Sequence, residues 1–399
     1  WKPTPTRNIA PNHLIDPFGA AMINYIPHTP DDEKKMLEAI GVTQIADLFA
    51  DIPPKLRLGR PINLPEGLSE SELVRKISDL AARNVSTSEL VCFLGGGAYD
   101  HLIPSAIKHL ILRGDFFTAY TPYQPEISQG TLQAIYEYQS LICELTGMDV
   151  SNASLYEGAT ALAEAANIAL LHTGRKKLIL LETVHPQYRE VTRAVSSLLG
   201  AQIVEIPFED GITDSAKLSE ALDDKAAAVL MQYPNFFGCI EDIETIIAQT
   251  KAAGALAIVS TYPVALGLLT PPGEFGADLV CGEGQSLGIP LSFGGPYLGF
   301  IAVKEPLLRK MPGRIAGKTV DKTGARGFVL TLQAREQHIR REKATSNICS
   351  NEALMALTAT IFLALLGKEG LKEMATQCFQ KTQFLKRELS QNPKISFPF

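Results

Sequence analysis

A short polar loop at residues 118–130 carries the densest group of side chains that could bind a ligand or support a reaction. It reads TAYTPYQPEISQG, and its two prolines restrict the backbone between the polar positions. Hydroxyl groups, an amide and a carboxylate can together hold a small polar molecule by hydrogen bonds. The candidate site residues in this loop are Tyr120, Tyr123, Gln124, Glu126 and Ser128. The alternative is an irregular loop that only covers the core.

Three consecutive glycines, Gly95–Gly97, precede a second group of candidates. Such a run is unfavourable inside a helix or strand, so it predicts a turn or a loop that a ligand can approach closely. Tyr99 and His101 follow at once. We expect their side chains to reach the same cleft as the polar loop.

A longer glycine-rich stretch at residues 277–300 leaves one apolar strand and returns as another. Its six glycines suit close approach to a ligand or to a second backbone, and Pro290 and Pro296 restrict its ends. Elsewhere, Gly158 and Thr160 stand at the start of a helix just after a strand. Free N–H groups at such a helix start make a plausible anion site.

Short apolar strands alternate with helical patterns through the middle of the chain. The predicted strands are 178–181, 202–206, 227–231, 256–259, 279–281 and 298–303, and the helices between them are 186–199, 214–222 and 240–252. Continuously apolar strands that alternate with helices predict an α/β fold whose mostly parallel sheet is covered on both faces. Binding sites in such sheets lie at the carboxyl ends of the strands.

The sequence outside this region predicts further helices and a loop. Residues 31–40 and 69–84 are predicted helices, typical of an arm that lies on a partner subunit. Residues 304–322 are predicted to form a basic surface loop. Residues 352–366 and 370–389 are predicted helices, and the first of these two is expected to be buried. We therefore divide the chain into a non-native or disordered extension (1–21), an N-terminal helical arm (22–90), a large domain (91–330) and the start of a small C-terminal domain (331–399).

Composition excludes several function classes. The net charge of −6 gives no basic surface for nucleic acid, and no apolar run is long enough to predict a membrane span. No spacing predicts a metal site. The cysteines lie far apart without a Cys-x-x-Cys pair, which predicts buried thiols in a reducing, cytoplasmic compartment. They are Cys92, Cys143, Cys239, Cys281, Cys349 and Cys378.

The strand–loop–strand arrangement of residues 277–300 resembles that of pyridoxal-phosphate (PLP) enzymes of the aspartate-aminotransferase type, the fold type I group. In those enzymes a loop of this kind carries the lysine that binds the cofactor. Here that place holds Gln285 and Ser286, and no lysine occurs between Lys251 and Lys304. The resemblance therefore predicts the fold of a PLP enzyme without its lysine.

The same resemblance assigns three further positions. Gly158 and Thr160 lie where such enzymes hold the cofactor phosphate, and His185 lies where a side chain stacks on the pyridine ring. A purely structural role for His185 is the alternative. The carboxylate that keeps the ring nitrogen protonated belongs at the end of strand 256–259, where this chain has Ser260. Lysine and carboxylate are thus both missing, which predicts a domain that kept the fold and lost the cofactor.

Four motifs resemble the P-protein of the glycine cleavage system, and more closely its N-terminal half, which many bacteria encode as a separate subunit 1 (α). They are FLGGGAYDHxxP (93–104), TAYTPYQPExSQG (118–130), GQSLGxP (284–290) and REQHIRREKATSNIC (335–349). The resemblance runs from about Met22 to the end of the chain.

This resemblance implies a glycine dehydrogenase (decarboxylating, aminomethyl-transferring). PLP binds glycine, CO2 leaves, and the aminomethyl group passes to the lipoyl arm of the H-protein. In the split form, subunit 2 (β) carries the PLP lysine and pairs with subunit 1 in a bacterial cytoplasmic α2β2 assembly. In this family, subunit 1 lends loops to the partner's site. The resemblance therefore implies catalytic roles for Tyr99, His101 and the five residues of the polar loop.

Two other interpretations remain open at the level of sequence. In the first, the chain is a self-sufficient PLP enzyme that uses another lysine, for which Lys343 is the best candidate. In the second, it is a catalytically silent scaffold. Visible absorption by a cofactor bound to the isolated chain would support the self-sufficient enzyme. Alanine at Tyr120 and Tyr123 would leave turnover intact if the chain is only a scaffold.

Overall fold

The structure is a computed structural model that describes residues 28–60, 62–65, 67–86, 89–93, 95–348 and 351–399. Residues Trp1–Cys92 and Phe93–Phe399 form two compact units. The extension predicted at residues 1–21 lies outside the described residues, and so does Cys349.

The described part of the first unit contains two α-helices, α1 (Pro30–Ile40) and α2 (Glu70–Ala81). Each begins at a capping box, in which a hydroxyl and a carboxylate satisfy the free N–H groups of the first turn. The backbone N–H of Ser69 donates to the Glu72 carboxylate at 2.9 Å, as the sequence predicted. Gly41 ends α1 with a φ of 87°, a left-handed conformation that glycine adopts without strain. Both predicted helices are confirmed.

The first unit leaves most of its apolar side chains in solvent. Among its described residues, only Leu37 is buried. On α2 the exposed apolar residues recur with helical spacing on one face, and they are Leu73, Val74, Ile77 and Leu80. This unit therefore presents an apolar helix face that nothing in its own fold covers.

The second unit is an α/β domain built around one large sheet. Its described helices are α3 (Ser105–Ile111), α4 (Gly114–Phe117), α5 (Gln129–Thr146), α6 (Gly158–Thr173), α7 (Pro186–Ser197), α8 (Ser215–Ala221), α9 (Ile243–Ala252), α10 (Gln337–Arg340) and α11 (Ala353–Leu389). Its strands are β1 (Val150–Ser151), β2 (Lys177–Leu181), β3 (Gln202–Ile206), β4 (Phe208–Glu209), β5 (Ile212–Thr213), β6 (Ala226–Tyr233), β7 (Leu256–Thr261), β8 (Leu279–Glu283), β9 (Gly299–Val303), β10 (Ile315–Val320) and β11 (Arg326–Thr331).

The seven strands of the large sheet are ordered β1-β9-β8-β7-β6-β2-β3. The strands from β8 to β3 run parallel, while β9 is antiparallel to both β8 and β1. The predicted mostly parallel sheet is therefore confirmed. Because the parallel strands all end at one edge, the segments that follow β2, β6, β7 and β8 lie close together there.

Helices cover the sheet closely because small residues line the contact. Strand β6 is buried at all but one of its eight positions, so both of its faces are covered. Helix α6 packs against β6, β7, β8 and β9, and α9 packs against β6 and β7. On α6 the fully buried positions Ala161, Ala165 and Ala169 recur every fourth residue. This alanine stripe lets the helix lie near the strands, which fixes the position of its N-terminus.

The prediction of a surface loop at residues 304–322 is wrong for the second half of that segment. Ile315–Val320 is strand β10, which pairs antiparallel with β11. Lys318 and its neighbours are exposed and so obscured the strand pattern, whereas Ile315 and Ala316 are buried. Asp321 closes the hairpin, because its carboxylate accepts hydrogen bonds from the backbone N–H groups of Thr323 and Ala325.

Helix α11 merges the two helices that the sequence predicted. By length and composition it is the one described helix that could cross a membrane, but Gly367 interrupts it with non-helical angles. Its first half packs on α5 and α3, and Ala356, Ala359 and Phe362 are buried there. The predicted buried helix is therefore confirmed.

The prediction that the cysteines are buried is wrong for most of those that the structure describes. Cys92 and Cys378 are exposed, and Cys281 alone of the described cysteines is buried.

One charged residue, Glu164, lies inside the alanine-rich helix α6. Its side chain is buried, and burial raises its pKa to about 7, with a hydrogen bond from Ser346 opposing the shift. Because the folded pKa exceeds the ordinary value of 4.5, folding favours the protonated form. The resulting stabilisation is fully present below that ordinary value and is lost as the pH rises through 7.

We therefore expect Glu164→Gln to stabilise the chain at pH 8, by up to about 3 kcal/mol, and to change its stability little at pH 5. The measurement is thermal unfolding across this pH range. Glu190→Gln, an exposed position on α7, is the control and should show no such pH dependence. Equal melting temperatures of wild type and Glu164→Gln at pH 8 would contradict the prediction.

Candidate functional site

Polar side chains from three elements meet at the carboxyl edge of the large sheet. Strand β8 ends at Glu283 and leads directly to Gln285, and the segment after β2 leads to His185. Helix α6 begins at the same edge, because the backbone N–H of Gly158 donates to the Glu283 carboxylate at 2.9 Å. The structure thus brings together the positions where the sequence predicted lysine, ring-stacking and phosphate functions.

Gln285 is fully buried, and its amide is paired with a peptide group. Its oxygen accepts from the backbone N–H of Tyr99 at 2.9 Å, and its nitrogen donates to the Tyr99 carbonyl at 2.9 Å. The same nitrogen donates to the carbonyl of Ile289 at 2.7 Å. The residue in the place of the lysine therefore ties the segment that begins with the three glycines, residues 95–101, to the sheet. We call this segment the glycine loop.

His185 holds the other side of the glycine loop. Its Nδ1 accepts from the backbone N–H of Gln187 at 3.1 Å, which leaves Nε2 as the donor to the carbonyl of Gly96. Gly97 has a φ of 126°, and a Cβ there would lie 3.2 Å from His185 Nε2. The loop needs glycine at this position because the backbone conformation and the close approach of the imidazole both exclude a side chain.

The predicted anion site at the start of α6 is filled by two carboxylates of the chain itself. Glu157 accepts from the backbone N–H groups of Ala159 at 2.6 Å and Thr160 at 2.9 Å. Glu283 accepts from Gly158 and also from the N–H groups of Gln285 at 2.8 Å and Leu298 at 3.0 Å. Burial raises the pKa of Glu283 to about 7 and also raises that of Glu157. No first-turn N–H among these three is left for a phosphate.

Tyr188 occupies the space beside His185. The two rings are stacked with centroids 4.6 Å apart and planes inclined by 23°. The Tyr188 hydroxyl reaches the start of α6, since a Cβ on Gly158 would lie 2.3 Å from it. Burial raises the pKa of Tyr188, and nearby Glu283 adds to the effect, so the phenol is neutral. A ring stacked on His185 is thus already present, and it belongs to the protein.

These residues do not fit a PLP molecule. Ser260 is buried at the end of β7 and supplies no carboxylate for a ring nitrogen. Ser286 is buried, and its hydroxyl is too weak a nucleophile to replace the lysine amine without an activating base. Among the described residues, no group of three His, Cys, Asp or Glu side chains could hold a metal ion.

The polar loop at residues 118–130 is divided between bonded and free side chains. Tyr123 accepts a hydrogen bond from the guanidinium of Arg314 at 3.0 Å. Gln129, beside it, pairs with the peptide of Phe328 on β11, accepting at 2.8 Å and donating at 2.9 Å. Tyr120 is 77% exposed. The loop is therefore anchored at Tyr123 and Gln129 and presents Tyr120 to solvent.

The remaining candidates in the loop differ in exposure. Gln124 and Glu126 are exposed, and Ser128 is partly buried at the start of α5. On the glycine loop, His101 uses both ring nitrogens within the fold, with Nδ1 3.2 Å from the Tyr99 carbonyl and Nε2 accepting from Gly288 N–H at 3.2 Å. Tyr99 is partly exposed, and its ring meets the edge of Tyr262 at 5.5 Å.

Arg314 is a residue that the sequence did not identify. It lies in the segment predicted as a surface loop, yet its side chain is almost fully buried and lies 3.9 Å from the Glu336 carboxylate. Arg335 fixes the backbone around it by donating to the carbonyls of Met311 and Gly313. The charged run at residues 335–347 was visible in the sequence, but nothing in it indicated Arg314 as its partner.

Comparison with known proteins covers nearly the whole chain. The family model described as glycine cleavage system P-protein matches residues 23–397. A relative named probable glycine dehydrogenase (decarboxylating) subunit 1, from Desulforamulus reducens, is 56% identical over 377 residues, which cover 94% of this chain and 84% of the relative.

Solved structures agree with this result. A crystal structure of glycine decarboxylase (P-protein) in inhibitor-bound form is 45% identical, with a TM-score of 0.86 over 93% of this chain and 83% of that one. A structure of a C-DES mutant with glycine linked to its PLP cofactor is 16% identical, with a TM-score of 0.51 over 74% of this chain and 78% of that one. The second likeness concerns the fold alone, and it confirms the predicted fold type I architecture.

The pairing of Gln285 with Tyr99 leads to a test. Gln285→Ala removes three side-chain hydrogen bonds and leaves buried peptide groups unpaired, so we expect a loss of about 2–4 kcal/mol in stability. Hydrogen exchange in peptides covering residues 95–101 should become at least about tenfold faster, because the opening free energy falls by more than 1.4 kcal/mol.

Gln129→Ala is the matched control, because Gln129 makes a similar set of bonds to Pro125 and Phe328. It should speed exchange in β11 and leave residues 95–101 protected. If hydrogen exchange in residues 95–101 becomes equally fast in the two variants, Gln285 has no specific role in holding the glycine loop.

Proposed function

The chain belongs to the glycine cleavage system P-protein family, and on that premise we propose that it acts as the subunit of a two-subunit glycine dehydrogenase that does not anchor PLP. With subunit 2 it releases CO2 from glycine and transfers the aminomethyl group to the lipoyl arm of the H-protein. The observation that carries this proposal is the filled carboxyl edge of the sheet, where Gln285, Glu157, Glu283 and Tyr188 take the places of lysine, phosphate and ring.

PLP supplies the electron sink that decarboxylation of glycine requires. Since the part of the chain that the structure describes offers no site that fits it, we assign the cofactor to subunit 2. The name subunit 1 of the relatives supports the existence of such a partner. The exposed apolar face of α2 supports such a partner, because obligate subunit interfaces are larger and more apolar than ordinary surface. We propose an α2β2 assembly in the bacterial cytoplasm, which meets the lipoylated H-protein there.

The polar loop is the part of this chain that we assign to the partner's site. Tyr120, Gln124 and Glu126 are exposed and can donate or accept hydrogen bonds across a subunit interface. Tyr123 holds the loop in shape through Arg314, and Ser128 is partly buried at the start of α5. Tyr99 and His101 keep supporting roles, since the Tyr99 backbone N–H donates to Gln285 and the His101 ring nitrogen Nδ1 lies 3.2 Å from the Tyr99 carbonyl. In this arrangement the loop positions glycine and excludes water from the reaction.

The alternative that uses Lys343 has little support from the geometry. Lys343 lies on an exposed turn at Arg341–Lys343. A lysine that binds PLP needs a site that also holds the ring and the phosphate. The scaffold alternative differs from our proposal only in whether the polar loop affects turnover.

Reconstitution tests the assignment of the cofactor. We expect the isolated chain, incubated with PLP and borohydride, to show no covalent adduct, because it has no lysine in the site. Mixed with subunit 2 and lipoylated H-protein, it should support glycine–bicarbonate exchange that neither subunit gives alone. An adduct on Lys343 would establish the alternative, and exchange by subunit 2 alone would remove the need for this chain.

The two tyrosines of the polar loop test the assignment of the site. We expect Tyr120→Phe to lower exchange about tenfold to a hundredfold without changing the melting temperature, if its hydroxyl bonds to a charged group in the transition state. Tyr123→Phe should instead lower the melting temperature, because buried Arg314 loses an acceptor.

Exchange rate and thermal stability are measured on the same reconstituted samples, so each variant is the control for the other. An unaltered rate in Tyr120→Phe would leave the loop structural and favour the silent scaffold.

A further inference from the structure

We propose that Tyr188, Glu157 and Glu283 form an internal ligand, which fills the place of a phosphorylated pyridine ring and keeps the glycine loop closed. The inference concerns this chain alone and goes beyond its proposed role in the complex. Protein side chains occupy the place where a cofactor would bind, and they stabilise the surrounding loop as a bound cofactor would.

The carboxylates reproduce the phosphate. A phosphate monoester at a helix N-terminus carries up to two negative charges and accepts several N–H bonds. Glu157 and Glu283 carry up to the same charge and accept from the N–H groups of Gly158, Ala159 and Thr160. They come from the residue before the helix and from the end of β8, so they approach the N-terminus from two sides.

The Tyr188 ring reproduces the pyridine. It stacks on His185 at a centroid distance of 4.6 Å, and its hydroxyl lies at the helix start, beside the position of the carboxylates. Ring and anion are thus adjacent, as they are in a phosphorylated pyridine. Tyr188 is on the first turn of α7, so replacing a bound ring by this residue needs no change in the sheet.

The internal ligand is connected to the glycine loop through His185. Tyr188 packs on one side of the imidazole, Phe236 meets it edge-on at 4.8 Å, and Nε2 donates to the Gly96 carbonyl. If the Tyr188 ring is removed, the imidazole loses its stacking partner and the loop loses a fixed donor. The ring therefore controls how tightly the loop closes.

The experiment removes the internal ligand from the intact chain and adds a small molecule of similar shape and charge. The variant is Tyr188→Ala combined with Glu157→Ala, and the probe is pyridoxine 5′-phosphate, which cannot form an imine. We expect the variant to melt about 5–10 °C below wild type and to regain at least half of that loss with millimolar probe. The melting temperature of wild type should not respond, and neither should that of Phe328→Ala, which opens a ring-sized cavity in the separate cluster between α5 and the β10–β11 hairpin.

Hydrogen exchange of residues 95–101 gives a second measurement that survives a poorly folding double variant. Tyr188→Ala alone should speed exchange there about tenfold or more, and Tyr188→Phe, which keeps the ring, should not. Equal protection of residues 95–101 in Tyr188→Ala and wild type would overturn the proposal. An equal response to the probe in the folded double variant and in Phe328→Ala would do the same. Neither result depends on subunit 2, so the outcome is separate from that of the exchange assay.

Discussion

The arrangement of the carboxyl edge depends on one contact, the two-sided hydrogen bonding of the Gln285 amide with the peptide of Tyr99. A buried peptide needs both an acceptor and a donor, and an amide side chain provides the two at the right spacing. A lysine ammonium has only donors, so it would leave the Tyr99 N–H unpaired. The glycine loop in its present position and a lysine at residue 285 therefore exclude each other.

The same principle recurs elsewhere in the domain. Gln129 pairs with the peptide of Phe328, and Gln139 pairs with that of Ala316 at 2.8 and 3.0 Å. Both glutamines lie on α5, and together they attach the β10–β11 hairpin to the domain. Paired amides thus fix three segments whose own backbones lack neighbours in the large sheet. Because each pairing is specific in direction, these contacts set position as well as stability.

Sequence reasoning located the sheet and the missing functions but not their replacements. The strands of the parallel sheet were predictable because each is a short apolar run between helical patterns, and the absence of lysine near Gln285 was visible directly. Glu283 and Arg314 were not predictable, since each acquires its role from a residue distant in sequence, Gly158 for Glu283 and Tyr123 for Arg314. Tyr188 is near His185 in sequence, but the contact of its hydroxyl with the start of α6 is again between distant residues. The β10–β11 hairpin was missed because its exposed charges resemble those of a loop. Pairing between distant positions is what a single sequence does not record.

The filled site also has an evolutionary consequence. Restoring a cofactor site would require a lysine at Gln285, a carboxylate at Ser260 and the removal of Tyr188 and Glu157. Two of these steps are costly on their own, because a lone ammonium at the fully buried position 285 would cost several kcal/mol, and an empty space beside His185 would cost a few more. No single substitution gives back any cofactor binding in return. Stepwise selection therefore has no intermediate gain to act on at this edge of the sheet, and the filled site is difficult to convert into a cofactor site.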